Sequence, residues 1–198
     1  MMAPRRARAV EAGVDLRDHL IDAAARLIAR RGTSGLTVRE IAREAEVATG
    51  VLYNHFADKE ELLALGLHGH VRAAERDLPP LPDDDEEVGR ALVAYTKRAL
   101  DLHLVIVPAF ANLPPEVLER FTTLGNPAAG GQGLRDQLAA FLRRRQEAGD
   151  VAADAPVEAV ATMIIGACHE VTLRAPAVVP EGFADDLVTI VLGGIRVR

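Results

Sequence analysis

Two groups of residues in this chain combine side chains that could do catalytic or metal chemistry. Cys168, His169 and Glu170 are consecutive, and in a helix consecutive side chains point in different directions. His68 and His70 are two positions apart and do not share a helical face either. No two histidines have four-residue spacing, and no phosphate-binding loop is present. We therefore expect no enzyme, no metal site and no cofactor.

A third group occupies a short stretch, EVATGVLYNHF, at residues 46–56. It places Tyr53, Asn54 and His55 directly before Phe56, on a segment too short to be a stable helix alone. Tyrosine and histidine side chains donate hydrogen bonds to phosphates or to base edges. Such contacts require neighbouring elements that hold the segment in place.

The flanking sequence supplies those elements. Residues 15–31 carry an apolar stripe at helical spacing, and Thr37 to Glu40 is a capping box that opens a helix over about 38–45. After Phe56, a second capping signal at Asp58 to Glu61 opens a helix to about residue 77. Gly66 and Gly69 inside that helix indicate a bend or close packing.

The spacing over 37–56 is that of a helix-turn-helix unit, whose second helix enters a major groove of DNA.

The residues left facing outward on that second helix are Thr49, Gly50, Tyr53, Asn54 and His55, and Lys59 follows at the start of the next helix. A positive charge beside the backbone N–H groups of a helix start is typical of an anion site. The alternative interpretation is a packed three-helix unit with an ordinary solvated face. In that interpretation Tyr53 is a half-buried packing residue and His55 a surface histidine.

The rest of the chain reads as a helical bundle. The chain is 49% hydrophobic but only 4% aromatic, which favours an all-α core of Ala, Leu, Val and Ile. Residues 79–87 are a break before a helix at about 86–106, which Pro108 kinks or stops. Residues 125–133 read as a flexible loop. We expect the other helices to run from Pro114–Pro115 to about 124, from the loop to Ala148, over 156–174, and over 183–196.

Charge and composition exclude several classes of protein. The net charge is −6, divided into +1 over residues 1–72 and −7 over residues 73–198, so only the N-terminal part suits an anionic partner. One cysteine, no secretory signal and no membrane-length apolar run together predict a cytoplasmic protein without a membrane partner. Residues 1–14 are expected to form a disordered basic tail.

The stretch LTVREIAREAEVATGVLYNHFADKEELL, residues 36–63, resembles the signature of the TetR family of bacterial regulators. The resemblance implies a DNA-binding domain at 15–60 and a helical ligand-binding and dimerisation domain at 61–198. It also implies that Arg39 reads a guanine, that Thr49 and Gly50 open the recognition helix 49–55, and that Asn54 is a variable exposed position. Phosphate contacts are implied for Thr37, Tyr53, His55 and Lys59.

Two departures from that signature stand in the turn. Glu46 replaces the usual glycine, so the turn needs an unusual backbone angle or a different form, and a negative charge lies near the phosphates. Ala48 replaces the usual serine cap, and we expect Thr49 to take over the capping role. Both departures concern operator affinity and sequence preference rather than the fold.

For the C-terminal part, helices 156–174 and 183–196 are apolar on more than one face, which indicates either a central core or a homodimer interface. Side chains that suit an apolar or amphipathic ligand come from several helices: Tyr95, His103, Phe110, Phe121, Met163 and His169. The sequence therefore predicts a dimeric repressor of a palindromic operator, released by a small effector. The alternative is a helical protein-interaction regulator with weakened DNA binding.

Overall fold

The structure is a computed structural model that describes residues 16–124, 133–174 and 179–195. Within these ranges all regular secondary structure is helical, which confirms the predicted all-α class. The predicted tail at 1–14 and nearly all of the predicted loop at 125–133 lie outside the described residues. The elements are α1 Leu16–Arg31, α2 Val38–Glu44, a 3₁₀ helix Thr49–Asn54, α3 Lys59–Asp77, α4 Val88–Phe110, α5 Pro115–Leu124, α6 Leu134–Ala148, α7 Val157–Arg174 and α8 Phe183–Ile195.

The described residues fall into two compact units. The first contains residues 16–74 and 108–124, and the second contains 75–107, 133–174 and 179–195. Two helices, α3 and α4, therefore begin in one unit and end in the other. The predicted domain boundary between residues 60 and 61 concerns function rather than packing, and it stays a prediction.

The first unit has a core built mainly from α1, α2, the 3₁₀ helix and α3. Its fully buried side chains are aliphatic, and α5 adds Val117, which is 1% exposed. Phe110 and Phe121 pack against this core as partly buried residues. The unit is therefore larger than the three-helix arrangement that the sequence predicts, because residues 108–124 also belong to it.

Helix α3 packs closely against α1 because two of its positions have no side chain. A Cβ placed on Gly66 would lie 2.8 Å from the Cβ of Ala24 and 3.0 Å from Cδ1 of Ile28. A Cβ on Gly69 would lie 3.1 Å from the Cβ of Ala25. Of the two interpretations of these glycines, close packing against a neighbour is therefore confirmed.

The predicted capping box at the start of α2 is confirmed. The Glu40 amide donates to the Thr37 hydroxyl over 3.3 Å, and the Thr37 amide donates to Glu40 Oε2 over 2.9 Å. Arg31, in the last turn of α1, lies 2.6 Å from the other carboxylate oxygen of Glu40. The hydrogen bond from Arg31, followed by those from Thr37, lowers the pKa of Glu40 to about 2. The cap therefore also joins α1 to α2.

The second unit packs α4 against α6 and α7. Phe141 and Leu142 of α6 and Ile164 of α7 are fully buried, and Gly149 ends α6 at a φ of 86°, as its position in the sequence predicts. Helix α4 continues two residues beyond Pro108, to Phe110. Of the two predicted effects of Pro108, a stop agrees with the observed end of the helix.

Across the described residues, none of the helices combines the length and the apolar character that crossing a membrane requires.

We expect Gly66→Ala to lower the free energy of unfolding by up to about 2 kcal/mol, measured by urea denaturation. Overpacking costs about 1–3 kcal/mol, and the better helix propensity of alanine offsets about 1 kcal/mol of it. Gly69→Ala is the matched control one turn further along α3, where the contact of 3.1 Å is easier to relieve. Its stability should stay near that of the wild type. Equal stability for both variants would contradict the close packing at residue 66.

We also expect Glu40→Gln to flatten the acid end of the pH–stability profile. Because the folded-state pKa of Glu40 is about 2 and its usual value is 4.5, its stabilisation is complete above about 4.5. That stabilisation is lost as the pH falls from there towards 2. Glutamine keeps the cap but does not titrate. Glu60→Gln is the control, since Glu60 makes no hydrogen bond or ion pair within the described ranges. If the pH–stability profile of Glu60→Gln were as flat as that of Glu40→Gln, this role for Glu40 would be contradicted.

Candidate nucleic-acid interface

The turn between α2 and the 3₁₀ helix is held by the backbone. Glu46 has a φ of 56°, so the unusual backbone angle predicted for it is confirmed. The Glu46 amide donates to the Arg43 carbonyl over 3.1 Å, and the Val47 amide donates to the Ala42 carbonyl over 2.9 Å. This pair of bonds is a Schellman motif, in which the left-handed residue is usually glycine. A glutamate is accommodated here at the cost of some backbone strain.

The predicted recognition helix is wound more tightly than an α-helix. Thr49–Asn54 forms a 3₁₀ helix whose N-cap is Ala48, with no side-chain capping bond. The expectation that Thr49 takes over the cap is therefore wrong. Two buried side chains hold the segment instead. They are Leu52, at 2% exposed, and Phe56, at 5% exposed just after the segment. The segment has six residues and no side-chain cap. Its backbone hydrogen bonds alone therefore do not extend it into a longer helix.

Four of the eight predicted DNA-contacting residues line one open concavity. Thr37 and Arg39 contribute from the start of α2, and Thr49 and Tyr53 contribute from the 3₁₀ helix. The concavity has a volume of about 760 Å³, and the Tyr53 side chain beside it is 65% exposed. The fold thus brings together polar side chains from both parts of the helix-turn-helix segment.

The remaining predicted contacts lie close by in the sequence. Gly50 and Asn54 are exposed, and a Cβ on Gly50 would meet no atom within 4 Å, so packing does not require a glycine there. His55 is half-buried, with its ring centroid 6.5 Å from that of Phe56. Lys59 is the first residue of α3, which Asp58 caps by accepting from the Glu61 amide over 2.7 Å.

The hydroxyl of Thr37 is already engaged. It donates to Glu40 Oε2 over 2.8 Å while accepting from the Glu40 amide. A phosphate at this position would have to compete with the carboxylate for the hydroxyl proton. The implied phosphate contact of Thr37 is therefore coupled to the cap of α2.

The acidic residues of α2 are neutralised by α1. Arg26 and Arg30 lie 3.2 and 2.6 Å from Glu44, and their hydrogen bonds lower the pKa of that carboxyl, with the Arg30 bond the larger cause. Arg39 and Arg43 make no such pairs within the described part of the chain. Arg43 is an exposed cation that our sequence analysis missed. Its spacing of four residues from Arg39, which puts both on one helical face, was the available signal.

Of the predicted ligand-binding residues, Phe110 and Phe121 belong to the first unit. Their ring centroids are 5.1 Å apart, and Phe121 also stacks on His68 at 4.1 Å. The His68 ring donates from Nε2 to the Phe121 carbonyl over 3.0 Å, and burial lowers its pKa. This aromatic cluster accounts for both phenylalanines as packing residues, while their ligand contact stays a prediction.

The other four predicted ligand-binding residues belong to the second unit. Tyr95 is buried with its ring 5.6 Å from that of Phe141, and burial raises its pKa. His103 and His169 have ring centroids 5.3 Å apart. Met163 is 56% exposed on α7, so its side chain lies at the surface of this chain rather than inside the second unit. Their roles in ligand binding stay predictions.

The consecutive Cys168, His169 and Glu170 do point in different directions. Cys168 is fully buried, and burial raises the pKa of its thiol to about 12. Its Sγ lies 3.6 Å from the Thr96 carbonyl, whereas His169 and Glu170 are exposed and Glu170 pairs with Arg174. A protonated buried thiol is a packing group and not a nucleophile.

Comparison with known proteins agrees with this geometry. Residues 20–65 match the family described as "Bacterial regulatory proteins, tetR family". The chain is 38% identical over 63 residues to the HTH-type transcriptional regulator HbdR of Aromatoleum sp. (strain CIB), covering 32% of this chain and 28% of that protein. It is 34% identical over 89 residues to the HTH-type nicotine-responsive transcriptional repressor HdnoR of Paenarthrobacter nicotinovorans, covering 45% and 44%. The match thus spans less than half the length of either relative.

The likeness in fold extends further along the chain. The crystal structure of the TetR family transcription regulator SCO0332 superimposes with a TM-score of 0.64 at 24% identity, covering 91% of this chain and 98% of that one. The shared fold therefore includes helices well beyond residue 65. Residues 20–65 thus match the TetR family of bacterial regulatory proteins, and the chain as a whole has the fold of a TetR family regulator.

Proposed function

We propose that this protein is a transcriptional repressor that binds a palindromic DNA operator as a homodimer and is released by a small effector. The observation that supports it most is the concavity where Thr37, Arg39, Thr49 and Tyr53 meet. A helix-turn-helix unit presents such a surface to the major groove. The two curated relatives named above are transcriptional regulators, one of them a repressor.

In this proposal the side chains divide into two kinds of contact. Arg39 donates to a guanine, and Thr49 and Asn54 lie against base edges, with Gly50 leaving room for close approach. Phosphates are held by the remaining predicted residues, and Arg43 joins them because it lies four residues beyond Arg39 on α2. These phosphate-contacting residues are Thr37, Tyr53, His55, Lys59 and Arg43.

Dimerisation through α7 and α8 is supported by the apolar side chains that these helices leave exposed. Met163 and Leu173 on α7 are each 56% exposed, and Ile190 on α8 is 72% exposed. Ala159 and Gly166 fall on the same helical stripe as the two exposed α7 side chains, and both are exposed. Burying this surface against a second copy would remove apolar area from water. A two-fold dimer would hold two 3₁₀ helices about 34–36 Å apart, one turn of DNA.

The effector is proposed to be a small apolar or amphipathic molecule. Tyr95 and His103 offer polar groups among the aliphatic side chains of the second unit, which is the usual composition of a ligand site. The relative HdnoR is described as nicotine-responsive, which supports a small-molecule effector for this chain also. Since α3 runs from the first unit into the second, a ligand-dependent shift of α3 would change the spacing of the two DNA-contacting segments.

A second candidate function is a helical regulator that acts through protein contacts and has lost strong DNA binding. Two features of the turn favour it: Glu46 places a negative charge at the proposed interface, and Ala48 provides no cap. Measured DNA affinity separates this candidate from the repressor, as in the following experiment.

Lys59→Ala and Tyr53→Phe should both weaken binding to the palindrome upstream of the protein's own gene, located by footprinting and measured by fluorescence anisotropy. Losing the tyrosine hydroxyl should cost about 0.5–1.5 kcal/mol, roughly 2- to 10-fold. Losing Lys59 should also reduce the salt-dependence slope by about 0.9 for each phosphate contact. The other lysine of the chain, Lys97, is exposed in the second unit and provides the matched control Lys97→Ala. Wild-type affinity in both test variants would favour the second candidate.

Ile190→Asp should convert the dimer to a monomer, measured by sedimentation equilibrium, because it places a charge in the proposed apolar interface. Operator affinity should fall with it, since each monomer then binds only one half-site. Leu118→Asp is the control: Leu118 is 47% exposed but lies on α5 in the first unit. A dimer that survives Ile190→Asp unchanged would rule out this surface.

A further inference from the structure

Two histidines from different helices meet in the second unit. His103 on α4 and His169 on α7 have ring centroids 5.3 Å apart and ring planes inclined at 72°. Neither the apolar core nor the proposed DNA contact requires an imidazole at either position, although both residues are also predicted to contact the effector. Because the two residues are far apart in the sequence, the fold alone brings them together.

The environment of His103 suits a metal ligand. Its Nδ1 donates to the Ala99 carbonyl over 2.6 Å, which fixes the tautomer and leaves Nε2 with a lone pair. A backbone carbonyl in this position is the usual outer partner of a metal-bound histidine. Burial is the main cause that lowers the pKa of His103, so the ring favours the neutral form that metals bind.

His169 presents the second imidazole from the solvent side. It is exposed, and its ring makes no hydrogen bond or ion pair with any residue in the described ranges, while its backbone carbonyl accepts from the Thr172 hydroxyl over 3.0 Å. The neighbouring carboxylate of Glu170 is engaged by Arg174. In the single chain the ring of His169 is therefore accessible from solvent beside the proposed dimer surface of α7, and its nitrogens are not occupied by another described side chain.

The spacing of the rings matches shared coordination. With metal–nitrogen distances of about 2.0–2.1 Å and a tetrahedral angle, two histidine ring centroids lie roughly 5.2 Å apart. The observed separation is 5.3 Å. An anion such as a carboxylate is a poorer match, because it would favour the charged imidazolium that burial disfavours at His103.

We propose that His103 and His169 form a two-histidine site for a divalent transition metal such as Zn²⁺ or Ni²⁺, linking α4 to α7. Among the described residues, no group of three or more His, Cys, Asp or Glu comes together, so water or an external donor completes the coordination. Imidazole suits zinc, copper and nickel better than magnesium or calcium. This inference goes beyond the proposed DNA binding and does not depend on it.

The test is a titration of the tag-free, full-length protein with Zn²⁺ and, separately, with Ni²⁺, measured by isothermal titration calorimetry. We expect one metal ion per chain and a rise in Tm on binding, because the ion joins two helices of the folded state only. His103→Gln and His169→Ala should each weaken binding by at least the 10- to 100-fold that loss of an outer-shell partner costs. Titration with Mg²⁺ should give no saturable binding.

His19→Ala is the matched control, since His19 lies in the first unit and its ring contacts the Ala45 carbonyl at 3.1 Å. It should bind metal as the wild type does. If circular dichroism shows that His103→Gln is misfolded, the exposed His169 variant decides the question. The proposal is overturned if the wild type shows no saturable binding up to millimolar metal, or if neither variant of the pair weakens it. Anisotropy with operator DNA is measured separately, so failure here leaves the repressor proposal untouched.

Discussion

Helices α1 and α3 touch through positions with little or no side chain, and the first unit depends on that contact. Gly66 meets Ala24, and Gly69 meets Ala25, so the two backbones approach more closely than larger residues would allow. The position of α1 in turn fixes its arginines beside the carboxylates of α2. The start of α3 fixes Lys59 just after the 3₁₀ helix. One close helix contact therefore positions both edges of the proposed DNA-contacting surface.

The carboxylates of α2 are paired with arginines of the same unit. Glu44 is held between Arg26 and Arg30, and Glu40 accepts from Arg31 and from the Thr37 cap. The charges of α2 that would repel a phosphate are thus compensated by α1. Counting charges along the sequence gives a nearly neutral N-terminal part, but the pairing leaves Arg39 and Arg43 without partners among the described residues.

Structural features that depend on neighbouring residues could be predicted from the sequence, and contacts between residues far apart in the chain could not. The Thr37 cap and the ends of most helices follow from residues within a few positions of each other, whereas the positive φ at Glu46 is implied by the resemblance to the TetR signature. The 3₁₀ winding of Thr49–Asn54 does not, because an amphipathic six-residue pattern suits either helix type. The packing of Phe121 on His68 and the pairing of His103 with His169 depend on tertiary approach, which one sequence does not reveal.

The turn at Glu46 is closed by two backbone hydrogen bonds, so its shape is held mainly by the backbone. That separates folding from affinity at this position. In a repressor, a negative side chain there would shorten the time each molecule stays on its operator without altering the recognition surface. The regulated genes would then have a higher basal expression and would respond at lower effector concentrations. In the proposed repressor, position 46 would thus set the sensitivity of the genetic switch, while Arg39, Thr49 and Asn54 would set its target.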